Sequence, residues 1–343
     1  MSDEIKDTNE IMVSISCLTY KHEKYLRQAL DSMLMQKTRF AYEIIVHDDA
    51  STDHTAAIIK EYAEKYPNIV KPILQTENQY SKNVSITHKF ILPAAMGKYI
   101  AYCEGDDYWT DPYKLQKQVD FLEEHPEYIA TTHECWEVDE NGKMLSSRYF
   151  YGYRKRGVYT LETHQKKRLL FGQTATLMHR KEAIELDDPE VVDKYGKIKA
   201  TGDVKKAMLI SIRGDTYCFE EVMSHHRRIY SGGDSWSAQL SKINVNRFVF
   251  DECLAMEDFA REVMGVKLNY SKLLILYTTI ALGKTILKPD KDKWDNFLYM
   301  CGVFPSKPYI LVKIILTLIK YPFLVLTTRV SGLRHRLLYG SKA

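Results

Sequence analysis

The sequence predicts an α/β fold with a Rossmann-like mixed sheet flanked by helices and a helical C-terminal extension, and three observations carry that prediction. Between residues 11 and 103 short apolar runs alternate with amphipathic stretches of helical period. Strands separated by about ten to fifteen helical residues imply right-handed crossovers, and hence parallel pairing. From residue 237 onward the strand signals stop and the chain reads as helix.

Taken in order, residues 11–19, 42–47, 69–74 and 98–103 read as strands, with helices at 23–36, 53–65 and 83–96 between them. Asp111-Pro112 opens a helix that runs to His125 and stops before Pro126. Residues 128–138 and 144–158 follow as strands around an Asn141-Gly142 turn. Strands at 174–179 and 217–223 then flank a helix at 204–212.

Composition narrows the function classes. The chain has 343 residues, 45% hydrophobic and 27% charged, which excludes a disordered or low-complexity protein. Its formal charge is +3, yet residues 296–343 hold seven Lys or Arg and no Asp or Glu, so the rest of the chain is net acidic. A nucleic-acid-binding body is therefore not expected. The six cysteines are scattered without a C-x-x-C pair and read as reduced cytosolic thiols. The first ten residues, MSDEIKDTNE, are polar and acidic, the reverse of a signal peptide, so export is not expected.

Acidic residues collect directly after two of the strands: Asp48, Asp49, Ser51 and Asp53 in HDDASTD, then Glu104, Asp106 and Asp107 in EGDDYW. Ligands of open α/β sheets sit beyond the carboxyl ends of the strands. Carboxylates gathered there repel one another unless a cation or hydrogen-bond donors fill the space, and a hard divalent metal with a nucleotide diphosphate supplies both. Taken alone, HDDASTD also reads as a turn with a helix N-cap, and EGDD as a solvated acidic turn.

The stretches VSISCLTYKHEKYLRQALDSMLMQ (13–36), EIIVHDDASTD (43–53) and GKYIAYCEGDDYW (97–109) together resemble the nucleotide-binding half of family 2 glycosyltransferases, the inverting enzymes with the GT-A fold, in their non-processive form. The resemblance implies a GT-A domain over 11–236, with a nucleotide-binding half at 11–107 and an acceptor half at 108–236, and a helical region at 237–343. It implies that Leu18, Thr19 and Tyr20 line the nucleotide pocket and that Asp49 accepts a hydrogen bond from the base, usually uracil. Asp106 takes a donor or ribose role and Asp107 holds the divalent metal, Mn2+ or Mg2+. The general base falls on Asp203 in ATGDVKKAM, where a helix N-cap is the plainer reading. In EEVMSHHRRIYSGGDSW (220–236), His225, His226, Arg227 and Arg228 are candidates to neutralise the departing diphosphate, and Gly232-Gly233 to hinge a closing loop.

Departures from the family pattern are informative. Leu18-Thr19-Tyr20-Lys21 stands where Pro-Thr-Tyr-Asn is frequent, and Glu104 where Asp is frequent. No Q-x-x-R-W motif is present, which favours transfer of a single sugar over processive synthesis. Neither G-x-G-x-x-G after the first strand nor a complete P-loop occurs, so a Rossmann dehydrogenase and a P-loop enzyme fit the sequence worse. Trp109, Trp136, Trp236 and the run Tyr149-Phe150-Tyr151 read as core aromatics first and sugar platforms second.

Residues 309–326 are strongly apolar, with Lys313 and Lys320 seven residues apart on one helical face. A spanning helix buries both lysines, a helix lying in the interface leaves them at the headgroups, and a helix packed on the body is the third reading. Residues 305–343 are expected to form a basic amphipathic membrane-associating tail. The combined expectation is a cytoplasmic protein peripherally associated with the inner face of the membrane. It moves one sugar from a nucleotide-diphosphate sugar, UDP-linked, to a hydroxyl of a glycan or lipid-linked acceptor in surface polysaccharide assembly. Its partners are the donor, the acceptor and an anionic membrane surface. A non-catalytic nucleotide-sugar-binding or scaffold protein is the alternative, and release of UDP from a UDP-sugar separates the two.

Overall fold

The computed structural model describes residues 8–149, 157–167, 172–229 and 244–320. The chain divides into a sheet unit (1–161, 170–197 and 206–230) and a helical unit (162–169, 198–205 and 231–343). Where the sequence suggested a single cut after residue 236, two short inner stretches thus join the helical unit.

Ten strands form one sheet: β1 Thr8–Thr19, β2 Phe40–Asp48, β3 Val70–Leu74, β4 Tyr99–Tyr102, β5 Tyr108–Trp109, β6 Tyr128–Val138, β7 Met144–Tyr149, β8 Gly157–Tyr159, β9 Met178–Arg180 and β10 Asp215–Arg227. Their order is β3-β2-β1-β4-β9-β6-β10-β5, with β7 on β6 and β8 on β10. The first four pair in parallel through the helices Leu26–Leu34 and Thr55–Lys65. Antiparallel β9 then separates them from the parallel pair β6 and β10. The sheet is therefore mixed.

Both faces of the central strands are covered, so residues 43–48 of β2 are all buried and alternation is lost. Val13, Ile15 and Cys17 of β1 join the core with Leu26, Leu30 and Met33 of the following helix. On the other face a buried carboxylate takes part: Glu43 Oε1 accepts from Ser14 Oγ (2.6 Å) and from the Met96 amide (2.8 Å). Gly97 lets that crossing happen, since a Cβ there would lie 2.5 Å from the Ser14 nitrogen.

Three expectations change. The helix expected at 83–96 is a 3-10 turn at Tyr80–Lys82, a π turn at Thr87–Ile91 and a short turn at Leu92–Ala94. Pro93 explains it, having no amide hydrogen to continue an α ladder. The strand expected at 174–179 begins as a 3-10 turn, Thr174–Thr176, because the Gln173 side chain accepts from the Ala175 amide (2.6 Å) and its carbonyl from Thr176 Oγ1 (2.7 Å). The strand expected at 144–158 is seen as β7 and β8, with 150–156 outside the described residues.

The helical unit contains Val245–Val263, Ser271–Leu287, Lys291–Gly302 and Lys307–Lys320. Ser271–Leu287 is buried on most sides, and its Thr278, Thr279 and Thr285 hydroxyls donate to carbonyls four residues back, Thr285 also reaching the Lys293 carbonyl of the next helix (3.2 Å). Lys307–Lys320 packs on this helix through Ile310 and Ile314.

Candidate active site

The carboxyl ends of β1, β2 and β4 form one rim. Hydrogen bonds from the Asp49 amide to the Thr19 carbonyl and from the Gly105 amide to the Leu18 carbonyl (both 3.0 Å) carry the ladder past the strand ends. Leu18, Thr19, Tyr20, Asp49 and the acidic turn therefore lie side by side. Thr19 is buried, and its hydroxyl donates to the His47 carbonyl (3.1 Å) and Asp48 Oδ1 (3.2 Å). Leu18 is half-buried and Tyr20 exposed.

Asp48 closes its own turn by accepting from the Ser51 amide (3.0 Å) and hydroxyl (2.5 Å). Asp53 accepts from the Thr55 amide (3.0 Å) at the start of the next helix, whose cap position is His54 rather than the Ser51 or Asp53 that the plainer reading of HDDASTD suggested. Asp49 is different. Buried, it accepts the amides of Gln79 (2.7 Å) and Tyr80 (3.0 Å), one on each oxygen, and so fastens the 78–80 loop to the rim. Each carboxylate oxygen keeps a second lone pair for a ligand donor. Residues 21 and 50 both have left-handed backbones, with φ of 56° and 61°. That accounts for the frequent Asn at position 21 in the family, because Asn tolerates this region better than Lys.

Oxygens of Glu104, Asp106 and Asp107 lie within 4.8 Å of one another. An all-carboxylate set suits a hard divalent cation such as Mg2+ or Mn2+. The three differ in what surrounds them. Asp107 is buried and occupied: Oδ1 accepts from the Arg227 amide (2.8 Å) and faces His226 Nδ1 (3.2 Å), while Oδ2 accepts from Gln173 Nε2. Asp106 is partly exposed and faces His22 Nε2 at 3.8 Å. Burial and the adjacent Asp107 charge push its carboxyl above the usual range, with His22 opposing. Gly105 permits this close packing, since a Cβ there would stand 2.7 Å from Thr19 Cγ2 and 2.9 Å from His22 Nδ1.

The basic run at the end of β10 resolves by strand alternation. Arg227 points inward and is buried. Its guanidinium donates to the carbonyls of Asp106 (2.9 Å) and Glu140 (2.9 Å) and to Gln28 Oε1 (2.6 Å), and lies over the Tyr25 ring. Arg227, expected from the sequence to meet the diphosphate, is here hydrogen-bonded to the backbone of the acidic turn. Arg228 pairs with Glu137 (2.5 Å), and His225 meets the Tyr108 hydroxyl (2.8 Å). His226 is the member that reaches the acidic cluster. Burial works against its charge, but the Asp107 carboxylate outweighs burial and raises its pKa.

Asp203 belongs to the helical unit and lies half-buried in the first turn of the helix Gly202–Arg213, inside it rather than at its cap. The segment before it is tied down where the Thr201 amide donates to buried Glu252 (2.8 Å). Trp109 is core, its indole donating to the Ala175 carbonyl (2.9 Å), and Trp136 is half-buried. Gly232, Gly233, Trp236, Phe150 and Tyr151 lie outside the described residues. Sequence reading missed Gln173 and His22. Gln173 stands 66 positions from the carboxylate it serves, with no local signal, whereas the unusual Lys21-His22 pair beside the first strand was at least visible.

An open sheet with an acidic turn at the end of its fourth strand, beside the rim that carries Asp49, is the arrangement of the nucleotide-sugar-binding GT-A folds. Residues 14–185 match the family described as Glycosyl transferase family 2, and the chain belongs to that family. S. aureus TarS in complex with UDP-GlcNAc shares the fold, with a TM-score of 0.57 at 18% identity over 93% of this chain and 92% of that one. A Mycobacterium tuberculosis protein is 48% identical over 130 residues, 38% of this chain and 37% of that protein. WfaP of Escherichia coli, a UDP-Glc:alpha-D-GlcNAc-diphosphoundecaprenol beta-1,3-glucosyltransferase, is 30% identical over 128 residues, 37% of this chain and 48% of that protein. The chain thus spans less than half the length of these two relatives.

Proposed function

We propose that the protein transfers a single sugar from a nucleotide-diphosphate donor, a UDP-sugar, to a hydroxyl of a glycan or lipid-linked acceptor, with inversion, in surface polysaccharide assembly. The carrying observation is the three-carboxylate turn set on the same rim as Asp49. The UDP-sugar bound by TarS and the lipid-diphosphate acceptor in the name of WfaP support the choice of donor and acceptor.

Leu18, Thr19 and Tyr20 flank the nucleoside, and Asp49 accepts from the base edge. Asp106 with Glu104 would hold Mn2+ or Mg2+, which when bound supplies positive charge to the leaving diphosphate. Asp107 takes the positioning role, three of its about four acceptor sites already directed to Gln173, His226 and the Arg227 amide. This moves the cation from Asp107, where the family pattern first put it, to its neighbour. His226, facing the cluster, donates to a departing phosphate oxygen, and Arg228, directly after the last residue of the strand, adds positive charge near it. Asp203 takes the proton of the acceptor hydroxyl as that oxygen attacks the anomeric carbon. Direct displacement inverts the centre and needs no enzyme nucleophile.

The test is UDP release from a panel of UDP-sugars, with and without Mn2+, alongside calorimetric UDP titration. Asp106→Asn should abolish the metal dependence of UDP binding. Asp107→Asn, which keeps one acceptor oxygen, should weaken it by a smaller factor. Metal-independent UDP binding by the parent, or a larger loss in the Asp107 variant, sinks the assignment.

A further inference from the structure

The helix Lys307–Lys320 has two apolar faces with different fates. Ile310 and Ile314 are buried against the helical unit. Leu311, Val312, Ile315, Leu316 and Ile319, by contrast, are each more than half exposed, Ile319 at 72%. At about 100° per residue these five fall within an arc of roughly 140°, next to the buried stripe and distinct from it. Five large aliphatic side chains in water on one face of a 14-residue helix mark an interaction surface.

Charge indicates the occupant. Lys313 and Lys320 lie together along one flank of the exposed arc, beside Tyr309, whose ring centroid is 5.5 Å from Lys313 Nζ. Residues 296–343 carry seven Lys or Arg and no acidic residue. A helix with this section sinks its aliphatic arc below the headgroups while lysine stems run up its flank to the phosphates. Crossing is not required of it. Among the described residues no single helix is long and apolar enough to span a membrane, and the pair that reaches the length together, Lys291–Gly302 with Lys307–Lys320, is bent by 111°.

We propose that the Leu311, Val312, Ile315, Leu316 and Ile319 face is a docking surface for an anionic lipid bilayer. The helix is not a free tail that folds on the membrane. It is fastened to the helical unit by Ile310 and Ile314, so docking orients that whole unit rather than merely tethering the chain. The proposal stands apart from the sugar-transfer reading, because vesicle binding is read without turnover.

The experiment is flotation of the full chain with phosphatidylcholine vesicles, with and without phosphatidylglycerol, across a salt series. The expected result is binding that needs phosphatidylglycerol and weakens as salt rises. Ile315→Glu with Ile319→Glu should lower vesicle affinity by at least about tenfold. Because both side chains are exposed, the melting temperature and UDP binding of that variant should match the parent. Lys313→Gln with Lys320→Gln should weaken binding and flatten its salt dependence. Undiminished flotation of the glutamate variant overturns the proposal, as does a parent that binds neither vesicle. A dimer in light scattering that the glutamate pair dissolves, in a protein that does not float, gives the face to a second copy instead.

Discussion

Asp106 and Asp107 are neighbours in sequence with different surroundings. The acidic turn was legible because it needs only local spelling after a strand. Which carboxylate stays available was not, because Gln173 and His226 arrive from 66 and 119 positions away and both serve Asp107. Lys114 was not singled out either, because its burial is a property of the fold. It is fully buried, its ammonium donates to Gln118 Oε1 (2.7 Å) and lies 4.2 Å from the Trp109 ring centroid. Burial lowers its pKa from 10.5 to about 7. Between those two values the unfolded chain holds a proton that the folded chain does not, so stability contributed through this site rises with pH from about 7 toward 10. Lys114→Met should therefore flatten the stability curve across that window and gain most, relative to the parent, at pH 6. Denaturant midpoints of both proteins from pH 6 to 10 check it, and a constant difference between them sinks it. The slope is diagnostic rather than the offset, since Met also deprives Gln118 of its donor.

At the scale of elements, strands of the parallel half were readable because both-face burial writes continuous apolar runs. The elements that failed were those ruled by a single side chain, Pro93 just after the π turn and Gln173 at the cap of the 3-10 turn. The helix Gly202–Arg213 shows how placement changes a test. Asp203 lies within its first turn, where a carboxylate gains about 0.3–1 kcal/mol from the helix dipole but does not serve as the cap. Asp203→Asn should thus cost at most that much stability. If Asp203 is the general base, sugar transfer should fall by about 10²–10⁴-fold while UDP affinity stays near parental. Transfer that tracks the small stability loss would return Asp203 to a structural role, with Asp215 and Glu220 the next carboxylates to substitute.

For the whole molecule, the sheet unit sets three carboxylates together at one rim, and that arrangement has a thermodynamic signature. Glu104, Asp106 and Asp107 repel one another in the folded state far more than in the unfolded chain, where the turn opens. A cation bound only by the folded protein relieves this and stabilises by mass action, about 2.7 kcal/mol at a hundred times its dissociation constant. Mn2+ alone should therefore raise the melting temperature, UDP should add to the rise only when the metal is present, and chelation should reverse both. Asp106→Asn lowers the repulsion as well as the affinity, so this variant should melt at or above the metal-free parent yet respond weakly to Mn2+. That crossed pattern distinguishes a metal site from an acidic turn that merely tolerates its charge. In the latter case Mn2+ and salt at equal ionic strength would shift the parent equally, since screening needs no coordination.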